Sequence, residues 1–377
     1  MRRRYISIKI EGDFIDSFIY SGILFLVGAN SQISIYNWEG LLDATLHNQR
    51  HVLNFLKDCR KGLNSVKEYE YQEICIEEQQ LEDQKYGEPL PLKAWSTDIN
   101  VYSDYLYIAD ENGVDAIKLD FDSKRLEQET RFQLWDKYAY KISPNDNKRI
   151  AIAAGVNGVI TAFPRRDRVI IGSEDIKTIA IKSYDCEWIG NNLIINSKDG
   201  SFMSVFEELP QRPEGSNTSK DFWTRLEKSK KQPPNTLKIE DNNRNSIIYS
   251  WMAGRKIFSI LRNGHVILKD IDLLNDANSY ETINFKIEIC PSGILSVRSG
   301  MFGAIIENGD NLLSLTQNGV DLIPISHRPV SWRVFPRSKS YLNHLHIVEN
   351  EYLVIRAYFV SNENDSDDYG ISFNEFI

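Results

Sequence analysis

The chain has 377 residues; 42% are hydrophobic, 26% are charged, and Trp, Tyr and Phe number 7, 18 and 17. Such a composition belongs to a folded globular protein and excludes a coiled coil, a small disulfide scaffold and a bundle of membrane-spanning helices. With 44 basic against 53 acidic residues the net charge is −9, which argues against general affinity for nucleic acid or anionic lipid.

The opening MRRRYISIKI has the basic residues of a leader but no apolar centre. Ile6, Ile8 and Ile10 alternate with Ser7 and Lys9, which is the period of a strand. From there a unit of strand, tight polar turn and strand recurs seven times. It occurs at residues 23–38, 105–120, 149–163, 193–206, 257–271, 303–316 and 344–359. Five of the turns carry Asn112-Gly113, Asn157-Gly158, Asp199-Gly200, Asn263-Gly264 and Asn308-Gly309. These pairs tolerate the positive φ that a two-residue hairpin turn demands. The other two turns use Ala29-Asn30-Ser31 and Glu349-Asn350.

From Gly113 the turns follow one another at 45, 42, 64, 45 and 41 residues, and the first step, from Ser31, is 82. A step of about 40–45 residues is one four-stranded propeller blade. Each hairpin has flanking strands. Those expected before it are residues 98–103, 139–143, 178–184, 246–252, 294–299 and 330–335; those after it include 131–135, 168–172, 281–287 and 320–325. The N-terminal segment from Arg4 to Ile10 has no blade of its own and is expected to close the ring as the outermost strand of the last blade; residues 371–376 compete for that place.

The pattern resembles the seven-bladed β-propeller superfamily in its broadest sense, over almost the whole chain. WD40 repeats carry recurring Gly-His and Trp-Asp pairs; here Gly264-His265 and Trp135-Asp136 each occur once, and the Kelch double glycine is absent. The resemblance therefore implies a divergent, all-β, seven-bladed propeller spanning 1–377. A pair of β-sandwiches is the rival reading.

Two insertions interrupt the steps. In the first, residues 39–92, Leu42, Leu46, Leu53 and Leu56 are spaced as one amphipathic helix stopped at Gly62; the acidic half after it reads as a second helix or a loop. The second, residues 207–235, is linker-like, with a helical turn or two around Trp223. Residues 361–370 read as an acidic mobile segment. Both insertions follow the third strand of a blade, so both should rise from one face of the ring. The basic clusters Arg60 and Lys61, Arg165, Arg166 and Arg168, and Lys228, Lys230 and Lys231 fall on that face, with Glu68, Glu70, Glu77 and Glu78 to offset them.

The search for chemistry is mostly negative. No Gly-x-Ser-x-Gly elbow and no phosphate-binding loop is present. His47 and His51 lie one helical turn apart, but Asn48 stands where a zincin needs Glu. His344 and His346 share one face of a strand, where packing inside the blade is the expected role. The channel strands read as mostly Ile, Val, Ser, Tyr and Trp, with Asp98, Asp185 and Arg298 near their ends and no repeated acidic ring. Cys59, Cys75, Cys186 and Cys290 are scattered without a Cys-x-x-Cys pair, so neither a zinc site nor a disulfide framework is expected, and a cytoplasmic location is. Trp38, Tyr69, Tyr71, Trp95, Trp223 and Trp332 lie near strand ends or in insertions; blade packing suits Trp38 and Trp332, and an interface suits Trp223.

The functional expectation is a non-enzymatic interaction scaffold, without cofactor, metal or membrane, that offers its insertions and a partly basic face to a protein partner. A propeller hydrolase or lyase with a central-channel site is the alternative, and a nucleic-acid-associated module using the basic face is the second.

Overall fold

The computed structural model describes residues 5–60, 72–146, 149–163, 176–210, 220–240, 246–271, 281–290, 293–316 and 319–359. The described strands form seven sheets, six wholly antiparallel and one, which joins the start of the chain to its end, with an added parallel strand. Their first strands are Phe14–Tyr20, Asp98–Tyr102, Lys141–Pro144, Asp185–Ile189, Ile247–Ala253, Ile294–Gly300 and Ser331–Val334. Each of these touches the first strand of the next sheet, and the last touches the first, so they close a circuit of seven around a channel. This is a seven-bladed β-propeller. Seven clusters of buried apolar side chains fill the interfaces between neighbouring blades.

The hairpin turns form as their sequence demands. Gly113, Gly158, Gly200, Gly264 and Gly309 all have positive φ. At Gly113 a Cβ would stand 1.9 Å from the carbonyl oxygen of Trp135, because the fourth strand passes directly over the turn. No other residue fits there.

Ring closure is double. Tyr5–Glu11 pairs antiparallel with Tyr352–Tyr358 in blade seven, as the alternation of isoleucines suggests. It is not the outermost strand, however. Gln72–Ile76, from the acidic half of the first insertion, pairs parallel on its far side. That segment alternates, with Ile74 and Ile76 buried and Glu73 and Cys75 exposed, so a strand satisfies it better than a helix. A short helix, Glu78–Glu82, follows it. The competing residues 371–376 and the acidic residues 361–370 lie outside the described residues.

The single helix expected in the first insertion is two, Trp38–Thr45 and Arg50–Lys57. Asn37 caps the first through its side-chain oxygen and the amide of Gly40 (3.0 Å). The break at residues 46–49 lets both helices turn their apolar faces onto the closing blade. Trp38, Leu41, Leu42, Val52, Phe55 and Leu56 are fully buried there, in one cluster with Ile6, Ile8, Ile10, Ile74 and Ile355. The first insertion is thus a clamp over the junction of blades seven and one.

Two strand assignments also move. Residues 178–184 were expected to open blade four; Ile176–Ile179 instead forms the outer strand of blade three, and Asp185–Ile189 opens blade four. The expected strand 168–172 lies outside the described residues. Blade one opens with Phe14–Tyr20, which the sequence pattern had not revealed, and its fourth strand, Leu90–Pro91, returns after the first insertion. In blade four the second insertion likewise lies between the third strand, Gly200–Val205, and the fourth, Asn235–Lys238. In a four-stranded meander the first-to-second and third-to-fourth connections share one end, so both insertions rise from the same face, the insertion face. The second-to-third turns and blade-to-blade connectors form the opposite, entry face. Among the described residues no helix is long and apolar enough to cross a membrane.

Ile8 is fully buried, between Ile355 on one side and Ile74 on the other. Ile8→Ala should therefore lower the unfolding free energy by about 2–5 kcal/mol. Urea unfolding followed by circular dichroism reads this as a lower midpoint; an unchanged midpoint would mean that the closing strand contributes nothing to the ring.

Candidate functional site

The channel carries more charge than its strands advertise. Asp16, Asp98, Asp185 and Tyr249 each stand four residues before the last residue of their strand, respectively Tyr20, Tyr102, Ile189 and Ala253. They therefore come to the same level of the ring. Lys141 and Asp185 open their strands, which sets this level toward the entry face.

Arg333 of blade seven is the central tie. Its Nε donates to Asp16 Oδ1 (2.8 Å), and its guanidinium also meets Asp16 Oδ2 and Asp98 Oδ1, the latter at 2.6 Å. Asp98, 1% exposed, accepts further from the amide of Ile142 in blade three (2.8 Å) and lies 3.4 Å from Lys141 Nζ. Across the channel Arg298 of blade six grips Asp185 of blade four, donating from its second nitrogen at 3.0 Å, and the Tyr249 hydroxyl of blade five donates to the same carboxylate. Glu187 lies 3.8 Å from Arg298 Nε. The result is a collar to which every blade contributes, six with a charged side chain and blade five with the Tyr249 hydroxyl.

Burial opposes ionisation of Asp98, but Lys141, Arg333 and the Ile142 amide outweigh it and hold the carboxyl below its ordinary range. Asp185 follows the same logic with Arg298 as the main counter-charge. Burial pushes Glu187 up, and Glu307 up as well, although Trp332 Nε1 donates to Glu307 at 2.8 Å. Asp16, Asp98 and Asp185 each meet a guanidinium group from another blade, so these contacts tie blades together. Among the described residues no group of three or more His, Cys, Asp or Glu could hold a metal ion.

The histidines divide. His47 sits in the break between the two helices, 2.8 Å from the Asn48 amide nitrogen, so it does not share a helix face with His51. His344 and His346 are both fully buried, with ring centroids 6.0 Å apart. Trp38 and Tyr341 flank His344; Phe335 flanks His346, whose Nδ1 meets Ser17 Oγ at 3.0 Å. Burial holds both below the ordinary histidine range, His344 at about 3, with the charge of Arg333 adding to the effect on His346.

On the insertion face, Lys220–Lys231 is a helix of 12 residues, longer than the sequence suggested. Phe222 is buried beneath it and meets the Trp223 ring edge-on at 5.3 Å, while Trp223 itself is 50% exposed. Lys230 pairs with Glu227 (3.1 Å) and reaches over the Phe163 ring of blade three. Lys228 and Lys231 are exposed and make no ion pair among the described residues. Arg60 is turned back onto Asp58, at 2.8 Å. Lys61, Arg165, Arg166 and Arg168 lie outside the described residues, as do Tyr69 and Tyr71. Trp38 is wholly buried, Trp332 packs between blades six and seven, and Trp95 stands 55% exposed on the entry face.

No protein-family model and no curated protein matches the chain. Among solved structures, 96% of the chain aligns with 97% of a chain described as YCF48 bound to D1 peptide, at 10% identity and a TM-score of 0.52. A structure of BBS1N in complex with ARL6DN aligns over 97% of this chain and 99% of its own, at 9% identity and a TM-score of 0.51. A chain of a mitotic checkpoint complex aligns over 94% and 91%, at 8% identity and a TM-score of 0.50. At these identities the likeness is one of fold.

Asp185→Asn leaves Arg298 buried without its main counter-charge and should cost about 3–5 kcal/mol of stability, read as a lower urea midpoint at neutral pH. A cost under about 0.5 kcal/mol, the scatter of ordinary surface substitutions, would show that the collar does not tie the blades. The buried histidines set a pH dependence. They are neutral when folded and take up protons near pH 6.5 when unfolded, so stability is complete above about pH 6.5 and falls as the pH drops toward the folded values. Two such groups give a slope of about 2.7 kcal/mol per pH unit between about pH 6 and pH 4. The double variant His344→Leu, His346→Leu should flatten that slope; an unchanged slope would place its origin elsewhere.

Proposed function

We propose that this chain is a non-enzymatic protein-interaction scaffold that captures a partner on its insertion face. The observation that carries this reading is the helix Lys220–Lys231. It pins Phe222 beneath itself and braces Lys230 on Phe163, yet leaves Trp223 half exposed on a helix whose Lys228 and Lys231 are also exposed and form no ion pair among the described residues. A fixed, half-exposed tryptophan is the kind of anchor that dominates an interface, and exposed lysines on the same helix favour a partner surface of opposite charge. The net charge of −9 makes nucleic acid the poorer occupant.

Two further observations support the reading. Asp16, Asp98 and Asp185 are spent on Arg333 and Arg298 as ties between blades, and loop elaboration is a marked feature of the chain. Two structures of the same fold were determined with a bound peptide or protein, the D1 peptide and ARL6DN. The four cysteines are unbridged, in keeping with a cytoplasmic setting.

Affinity capture of the full chain from its own cells, followed by mass spectrometry, should retain a defined partner. The triple variant Trp223→Ala, Lys228→Glu, Lys231→Glu should lose it while keeping the circular dichroism spectrum of the parent. A partner set unchanged in the variant would remove this helix as the docking element.

A further inference from the structure

The entry face, opposite the insertions, carries an aromatic strip across blades two to four. Tyr138 and Tyr184 are 40% and 43% exposed. Tyr140 lies between them, its ring centroid 4.5 Å from that of Tyr138 and 4.8 Å from that of Tyr184. Tyr138 and Tyr140 belong to the connector into blade three, and Tyr184 is the last residue before Asp185–Ile189. Val156, at the second-to-third turn of blade three, is 73% exposed. The strip thus borders the end of the channel at which the collar sits.

The strip is held rigidly. The Tyr140 amide donates to the Ala153 carbonyl (2.9 Å), and the Ala139 amide to Asp110 (3.1 Å). Gly155 and Ser183 exchange two backbone hydrogen bonds of 2.8 and 3.2 Å, and the Ser183 hydroxyl lies 2.6 Å from the carbonyl oxygens of both Asp185 and Asn196, which share its one proton. Gly155 has φ +58°, and a Cβ there would lie 2.7 Å from the Tyr140 ring, so only glycine lets the ring settle against the turn. Rings fixed in this way offer apolar area with little further loss of side-chain freedom on binding.

Two lysines border the strip, and among the described residues neither meets a carboxylate. Lys198 Nζ lies 5.9 Å from the Tyr184 ring centroid, and Lys137 Nζ 5.6 Å from that of Trp135. Neither makes an ion pair among the described residues, and both are exposed. Each ammonium group lies within reach of an aromatic ring, which attracts it electrostatically.

We propose that this strip is a second docking site, which binds an extended acidic peptide segment of a partner protein. The tyrosines form a floor about three residues of extended chain long, at roughly 3.3 Å per residue. Their hydroxyls donate to peptide carbonyls, and Lys137 and Lys198 select carboxylates at its margins. Single-stranded nucleic acid also stacks on such floors, but it brings a phosphate at every nucleotide, which two lysines on a chain of net charge −9 do not offset, whereas a peptide segment needs only one or two carboxylates to meet Lys137 and Lys198. The scaffold would then hold one partner on each face, and this site stands whether or not Trp223 binds anything.

Selection of phage-displayed random peptides against the full chain tests the proposal. The enriched peptides should be rich in Asp and Glu. Synthesised with a fluorescent label and followed by anisotropy, they should bind at least about tenfold more weakly to the double variant Tyr138→Ala, Tyr184→Ala, as removal of hot-spot aromatics does. The double variant Lys137→Glu, Lys198→Glu should also bind more weakly and lose most of the salt dependence. Trp223→Ala should bind as the parent does. All four positions on the strip are exposed, so the variants should fold, as circular dichroism checks. Failure to enrich acidic peptides, or equal binding by the tyrosine variant, would overturn the proposal. Binding of labelled oligothymidylate that the tyrosine variant loses would reassign the strip to nucleic acid and overturn it equally.

Discussion

The pairing of the first described strand with the last is the contact on which the molecule depends. Seven sheets arranged in a ring bury their faces against one another only if the ring is shut; an open array would expose two sheet faces and two raw edges. Here Tyr5–Glu11 completes blade seven, and Gln72–Ile76 then covers the edge that Tyr5–Glu11 would otherwise present. The helices Trp38–Thr45 and Arg50–Lys57 fill the angle above this junction with fully buried Trp38, Phe55 and Leu56. A segment that looks like decoration in the sequence is therefore a part of the closure.

The charged collar acts at the other radius of the same ring. First strands in a propeller splay apart toward one another's backbone and leave a channel, so side chains must bridge what hydrogen bonds between strands cannot. Arg333 does this for blades seven, one and two; Arg298 does it for blades six, five and four. Such buried pairs are costly to break and modest in net gain, and they fix geometry more than they add stability. With apolar wedges between blades and charges at the axis, the ring is stiff, and both faces become fixed platforms.

Much of this was legible in the chain. The Asn-Gly and Asp-Gly turns, the step of about 40–45 residues and the alternating isoleucines at the start carried the blade count and the closure, because each is a local signal. What escaped was non-local. Gln72–Ile76 has its parallel partner more than sixty positions away, and nothing near it in sequence announces that partner. Phe14–Tyr20 was masked by Asp16, which meets Arg333, and Ser17, which meets the buried His346; the two polar residues break the apolar pattern. The two helices of the first insertion share one continuous leucine period, and only the fit to the closing blade imposes the break at 46–49. Asp16, Asp98, Asp185 and Tyr249 were all visible as residues; their common level appears only once each strand is counted back from its turn. Trp223 needed no such help, since a tryptophan in a polar insertion already stands apart.

Native-state hydrogen exchange tests the central claim most directly, by comparing the amides of the closing strands with those of the inner blades. If closure holds the ring together, Ile6, Ile8, Ile10 and Ile355 exchange only through global unfolding, with the same free energy as Ile108, Ile152 and Ile195 in blades two to four. Exchange of Ile6, Ile8 and Ile10 at a markedly lower free energy, while those inner blades stay protected, would mean that the ring opens at its seam without falling apart and would contradict the account.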